Sequence, residues 1–427
     1  MKLNKQLFNL LVSKLEVVVT VIWLLYFLNT RFPSPIPKLM NILSYPIIVI
    51  LVSLHWKRLS WVATRDIPLL LVIGTACASV FWTVGLGHTL NAGRGLLRTF
   101  LFGVYFTTRY SLKEQMKILA WVFSIAIILT IAFVLILPSH GIDGAKHAGA
   151  WTGIFPHKNS LGFAMALGAS FFFITAIKER KPNWLAWGGF VLAVVMIILA
   201  RSSGALVTLL SLLSLMPIYK LAKQHYKLKA ILVCFGCILV ISTTILILSN
   251  MDTILVDILG EGRDFNGRTP IWDLIVDKTL EQPLLGYGLN AFWISDAGIS
   301  VILQTWASKD FVLQGEGFNA HSGYFAFLPQ LGFLGMSLYA ISFVSVFIRV
   351  LILLVSTKKI EFFWLFQLLV FIAVANVGDQ MVSIMGSTSY TSIYVSACLS
   401  SVIEWKRIRV SQKKYSQTNG GKLNLHY

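Results

Sequence analysis

Three residues of this sequence combine reactive chemistry with suitable surroundings. Arg268 stands just ahead of Thr269-Pro270, a hydroxyl cap followed by a proline at the first helical position. Unpaired N–H groups and the dipole at such a helix start favour an anion beside the arginine. Arg201 ends one apolar run, and Ser202-Ser203-Gly204 begins the next with almost no connecting loop, giving a second anion-attracting helix start. His321, in Phe318-Asn-Ala-His-Ser-Gly-Tyr324, closes a long polar stretch. With an ordinary pKa near about 6.5, a histidine can take a proton from a hydroxyl at neutral pH.

Further basic residues extend this set. The loop from Pro138 to Asn159 holds His140, His147 and Gly153-Ile-Phe-Pro-His-Lys-Asn-Ser-Leu-Gly162. Asn159 or Ser160 is expected to cap the following helix, which leaves His157 and Lys158 at a third helix start. Arg94 and Arg98 lie one turn apart on one face of another apolar run, where a charge is costly and usually faces a cavity or partner. Snorkelling at a helix end is the plainer reading of these two, and His321 taken alone can be an interface histidine. Together, helix starts flanked by Arg or Lys suit a multiply charged phosphate, because a guanidinium offers phosphate paired N–H groups. A diphosphate leaving group, an arginine clamp and a histidine base describe glycosyl transfer from a lipid carrier.

The elements that hold these residues are expected to cross a membrane. Hydrophobic residues make up 56% of the 427 and charged residues 13%, with a mean hydropathy of +0.74. A soluble chain of this length carries about twice that charge, so the bilayer is the solvent for the core. Apolar runs of spanning length fall at 12–29, 39–55, 67–85, 92–108, 117–137, 159–177, 184–200, 203–221, 229–249, 333–355, 361–377 and 383–404. The expected fold is an all-α polytopic membrane protein of about twelve transmembrane helices with one large extracytoplasmic loop carrying short helices. With both termini cytoplasmic, 25 of the 36 Lys and Arg lie inside and 11 outside, which satisfies the positive-inside rule. That accounts for most of the +18 net charge without any nucleic-acid partner.

This topology divides the chain into residues 1–249 with nine helices, an outer loop at 250–322, three helices at 323–404 and a basic cytoplasmic tail at 405–427. The loop carries ten of the eighteen carboxylates and opens with the glycine-rich turn Gly260 to Arg268. An amphipathic helix should run from Thr269-Pro270 to about Gln282, ending at Pro283, with Ile271, Trp272, Leu274, Ile275 and Leu280 as its apolar stripe. Such a helix can lie on the bilayer surface. Gly286-Tyr-Gly288 and a flexible connection lead on to Phe318. The tail after Glu404 reads as disordered and lipid-facing. The four cysteines, Cys77, Cys234, Cys237 and Cys398, all sit inside apolar runs, so no disulfide framework or zinc site is expected. No Asp-x-Asp pair occurs and the first outer loop lacks carboxylates, so arginines are expected to neutralise the charge that a divalent ion handles in many glycosyltransferases. A rival reading, a glycolipid flippase or transporter, fits the helix number. However, it leaves the long outer loop without a use and lacks a matching pair of broken helices.

Four stretches in order resemble the O-antigen ligase/O-antigen polymerase superfamily. They are Gly153 to Gly162; Ala200-Arg-Ser-Ser203; Gly267-Arg268 with Trp272 and Pro283-Leu-Leu-Gly-Tyr-Gly288; and Ala320-His-Ser-Gly-Tyr324 before Leu331-Gly-Phe-Leu-Gly335. The His-Lys-Asn and Gly-Tyr-Gly forms are most similar to the exopolysaccharide-polymerase branch. The resemblance covers residues 140–340, and the remainder matches as hydropathy only. It implies a GT-C-like, metal-independent and cofactor-free glycosyltransferase in the bacterial inner membrane, with its site facing the periplasm. The donor it implies is an undecaprenyl-diphosphate-linked oligosaccharide; the acceptor is a growing polysaccharide or lipid A core. A chain-length regulator and a flippase are the protein partners expected beside membrane lipid. By position, the family's diphosphate-binding arginines map onto Arg201 and Arg268, and its loop histidine, which activates the acceptor, maps onto His321. One departure is Ser322, where relatives often carry Asn.

Overall fold

The computed structural model describes residues 2–144, 147–178, 182–222, 268–305, 318–379 and 386–418. The ninth apolar run, the turn at 260–267 and the Cys234/Cys237 pair lie outside the described residues. Among the described residues the regular structure is helical, apart from one isolated bridge between Ile142 and Trp151.

The first half comprises α1 (Lys2–Phe27), α2 (Ile36–Leu54), α3 (Trp56–Ala63), α4 (Ile67–Ala78), α5 (Leu86–Arg109), α6 (Leu112–Ile136) and the single turn α7 (Pro138–Gly141). It continues with α8 (Lys158–Lys178), α9 (Trp184–Leu199), α10 (Ser203–Ser214) and α11 (Met216–Ala222). The second half has α12 (Arg268–Glu281), α13 (Asp296–Leu303), α14 (Gly323–Thr357), α15 (Ile360–Gly378) and α16 (Ser389–Thr418). Local signals set several of these limits. The Asp66 side chain accepts the Leu69 N–H at the start of α4, and Ser111 and Glu114 form a capping box on α6.

Of the twelve expected spans, six helices among the described residues are long and apolar enough to cross a bilayer, or seven if α3 and α4, bent by 95°, count as one. The physical reasons differ from helix to helix. Helix α5 carries Arg94, Arg98 and Arg109. Helix α9 has 16 residues, about 24 Å of rise, which is shorter than the roughly 30 Å hydrocarbon layer. The buried half of α16 is rich in Ser and Thr. That last helix also runs on to Thr418, so much of the tail expected to be disordered is helical.

Helix α8 is buried nearly all round, as suits a helix apolar on every face. It packs against α9, α10 and α15. Ser170 of α8 donates to the Gln367 side chain of α15, and Gln367 Nε2 donates 2.9 Å to the Leu212 carbonyl of α10. Hydrogen bonds of this kind hold helices together where water is excluded. Near the start of α8, a Cβ on Gly162 would lie 2.8 Å from the Cβ atoms of Ser202 and Ala205. The missing side chain is what lets the starts of α8 and α10 come together.

The loop elements form a small core of their own. Ile271 and Ile275 of α12 pack with Tyr287, Phe292, Val301, Ile302, Phe318, Ala320 and Ala326. The connection expected to be flexible contains a 3-10 turn at Phe292–Ile294 and the helix α13. This unit is pinned to the helices below it. Leu289 N–H donates 3.0 Å to Ser79 Oγ, and Thr89 Oγ1 donates 2.8 Å to the Leu289 carbonyl.

The two glycine motifs dock on each other. Helix α14 breaks at Gly332, whose φ of 60° and ψ of −165° are non-helical. Phe333 and Leu334 N–H groups donate 2.7 and 3.1 Å to the carbonyls of Pro283 and Leu284. In return, Tyr287 and Gly288 N–H groups donate to the carbonyls of Pro329 and Gln330, each at 2.9 Å. Backbone freed at a break inside a membrane protein must be satisfied by neighbouring protein, and the Pro283–Gly288 stretch does this. Gly286, at φ +63°, has no room for a Cβ, which would meet the Pro329 oxygen at 2.4 Å.

Candidate active site

The three helix starts and the loop histidine are built as follows. Arg201 adopts a left-handed φ of 49° between α9 and α10, which turns the chain within three residues. Its exposed guanidinium donates 3.2 Å from Nη1 to the Ala148 carbonyl. Its own carbonyl accepts a 3.2 Å bond from Lys158 Nζ at the start of α8. The Arg201 and Lys158 helix starts are therefore joined. Asn159, one of two expected caps of α8, does not cap it. His157 Nδ1 accepts the Asn159 N–H at 3.2 Å, while the Asn159 side chain accepts 3.0 Å from Ser202 Oγ. A histidine cap fixes the tautomer, leaving the proton of the neutral ring on Nε2. His147 packs edge-on against the His157 ring, with centroids 5.6 Å apart.

Arg268 is the first residue of α12, one residue before Thr269, its expected cap. Half-buried, it donates 3.1 Å from Nη1 to the Gly378 carbonyl at the end of α15. Trp272, one turn along, stacks on Phe325 with centroids 4.9 Å apart and donates 2.8 Å to the Ala320 carbonyl. Asn319 Oδ1 accepts the His321 N–H at 2.7 Å, the turn that an Asn two residues ahead favours. Ser322 Oγ donates 3.0 Å to the Asn376 carbonyl. These bonds on either side of His321 hold it at a left-handed φ of 52°, a conformation that costs a non-glycine residue about 1–3 kcal/mol.

Burial lowers the His321 pKa, and Arg268 and His157 act in the same direction, bringing it to about 4. Arg268 and His157 are thus the two residues that act electrostatically on His321. The imidazole is neutral at pH 7 and can accept a proton. An anion bound between these groups offsets the positive charges and raises its basicity.

Arg98 and Arg94 are engaged elsewhere. Buried Arg98 donates to Asn41 Oδ1 at 2.6 Å, Ser44 Oγ at 2.8 Å and Ser387 Oγ at 2.7 Å, and it lies 4.8 Å from the Tyr45 ring centroid. It staples α5 to α2 and to the segment before α16. Exposed Arg94 bonds Asn91 and the Leu90 carbonyl of its own helix. Among the described residues no three His, Cys, Asp or Glu side chains are grouped so as to hold a metal ion. The long-range partners Asn376 and Gly378 escaped sequence reasoning because both act through backbone carbonyls, which carry no side-chain signal.

Comparison with known proteins falls on the same residues. Residues 188–340 match the Wzy_C family, described as O-antigen ligase. The matched segment contains Arg201, Arg268, the Pro283–Gly288 stretch and His321, so the resemblance read from the motifs holds. His157 and Lys158 lie ahead of it. The chain is also similar to the exopolysaccharide production protein ExoQ of Rhizobium meliloti (strain 1021), with 23% identity over 292 residues. That alignment covers 66% of this chain and 65% of the relative, so the chain spans just under two thirds of that protein.

Proposed function

We propose that this chain is a metal-independent membrane glycosyltransferase that polymerises glycan from an undecaprenyl-diphosphate-linked donor on the extracytoplasmic face. The reading is supported by the bond that joins the Arg201 and Lys158 helix starts, and by Arg268 and His157, which both act electrostatically on a half-buried His321. An acceptor hydroxyl attacks the anomeric carbon of the donor sugar and the bond from that carbon to the diphosphate oxygen breaks. The hydroxyl proton passes to the His321 imidazole. The departing diphosphate keeps the bonding electrons, and Arg201, Lys158 and Arg268 stabilise its charge. Preorganised donors of this kind are each worth about 2.7–4 kcal/mol of transition-state stabilisation. Arg98, held by neutral side chains between helices, is assigned a structural part and Arg94 a surface one.

The similarity to an exopolysaccharide production protein favours polymerisation. The O-antigen ligase description of the matched family favours a second reading, transfer of the finished glycan to lipid A core or a protein. Purified protein supplied with native lipid-linked repeat units alone distinguishes the two. A product ladder is expected of a polymerase, whereas product only upon addition of a separate acceptor identifies a ligase. No glycosyl transfer under either condition contradicts the proposal.

A further inference from the structure

The end of α15 reaches both halves of the proposed site. The last four carbonyls of a helix have no partner within it and carry the negative end of its dipole. Two of these in α15 are taken by site elements: Asn376 O accepts from Ser322 Oγ at 3.0 Å, and Gly378 O accepts from Arg268 Nη1 at 3.1 Å. One turn back, the Ala373 carbonyl accepts 3.0 Å from the Tyr324 hydroxyl. Ser322 is buried and extended, with φ −152° and ψ 131°, and it directly follows the left-handed His321. Gly323 opens α14 against Asn376 so closely that a Cβ would fall 1.9 Å from Asn376 Oδ1. The backbone on the C-terminal side of His321 is thus fixed to the same helical turn that fixes the Arg268 guanidinium.

We propose that Ser322 and Tyr324 are positioning residues that register the His321 imidazole against the arginine clamp through the C-terminal turn of α15. Neither side chain touches the reacting atoms; each acts through the backbone that carries His321. This inference rests on the reading of His321 as the base. Near-attack geometry tolerates little error, and a displacement of about 1 Å can cost roughly 100-fold in rate.

The test uses the full chain in nanodiscs, with native lipid-linked oligosaccharide for turnover and undecaprenyl diphosphate as the binding probe. Ser322→Ala should lower kcat about 10–100-fold while leaving KM and the Kd for undecaprenyl diphosphate within about twofold, because Arg268 keeps its own carbonyl partner. Ser322→Thr, which retains the hydroxyl and suits extended backbone, should recover most of that loss. Tyr324→Phe should also lower kcat without weakening probe binding. In a His321→Ala background, Ser322→Ala should cost nothing further, since residues acting as a unit are non-additive. Wild-type kcat in Ser322→Ala, equal loss in the Ala and Thr variants, or further slowing of the His321→Ala background would each overturn the inference. If His321→Ala is inactive while Ser322→Ala turns over normally, the positioning inference alone fails. If His321→Ala is itself active, the base reading fails and this inference with it.

Discussion

In the proposed mechanism Arg268 has two separable jobs, and substituting it should move two readouts independently. Its Nη1 is tied to the Gly378 carbonyl, which orients the planar fork with its remaining N–H groups available to a diphosphate. Its charge also holds the His321 pKa down, behind the larger effect of burial and ahead of His157. Removing the guanidinium should cost about 2–4 kcal/mol of transition-state stabilisation, a fall of roughly 30- to 1000-fold in kcat/KM. The sign on the histidine follows from Coulomb's law. Loss of a nearby positive charge favours the imidazolium, so the Arg268→Ala acid limb should move up from about 4. It should stay below the unperturbed value near about 6.5, because burial and His157 still act. Arg268→Lys should separate the two effects, keeping the limb low as a point charge while losing most of the rate, since an ammonium cannot reproduce the paired geometry. The assay is the pH dependence of kcat/KM, which reports the free enzyme's ionisations. Full activity in Arg268→Lys, or an unmoved limb in Arg268→Ala, would refute the reasoning.

Three further outcomes follow. Gly286→Ala should destabilise the fold by about 1–3 kcal/mol or more, because its φ is +63° and a Cβ would strike the Pro329 carbonyl at 2.4 Å; a detergent-solubilised variant melting with the wild type would contradict the docking of the glycine motifs. Turnover in EDTA should equal turnover with added magnesium or manganese, and a strict metal requirement would rule out charge neutralisation by arginines alone. A cysteine at exposed Asn290 should react with a membrane-impermeant maleimide in intact spheroplasts and one at Lys223 only after permeabilisation, with reversed labelling placing the site on the cytoplasmic side.

The parts of this architecture with local causes were legible in the sequence. Thr269-Pro270 and Pro283 bracket α12 to within a residue or two, at Arg268–Glu281, because a cap and a helix stop need only their neighbours. The reversal at Arg201 was readable from two apolar runs with nothing between them. What escaped depends on distant partners. Asn41, Ser44 and Ser387, up to 289 residues away, bond both terminal nitrogens of Arg98, a set of partners that no local spacing encodes. Asn159 looked like a cap, but Ser202 takes its side chain and His157 replaces it. Run length alone does not register that α9 is short or that α5 carries three arginines. The depressed His321 pKa depends on burial and on two residues from other elements, which no spacing along the chain encodes.

The central claim is that His321 removes the acceptor proton while the arginines hold the diphosphate, and single-turnover transfer by His321→Gln tests it most directly. Glutamine keeps the size and hydrogen bonding of the side chain but cannot take the proton. With undecaprenyl diphosphate binding verified as unchanged, transfer from the native lipid-linked donor should fall about 10²–10⁴-fold, and the acid limb near pH 4 should disappear. Transfer at the wild-type rate by a variant that binds undecaprenyl diphosphate normally would show that the base is another residue, and the account of this site would be wrong.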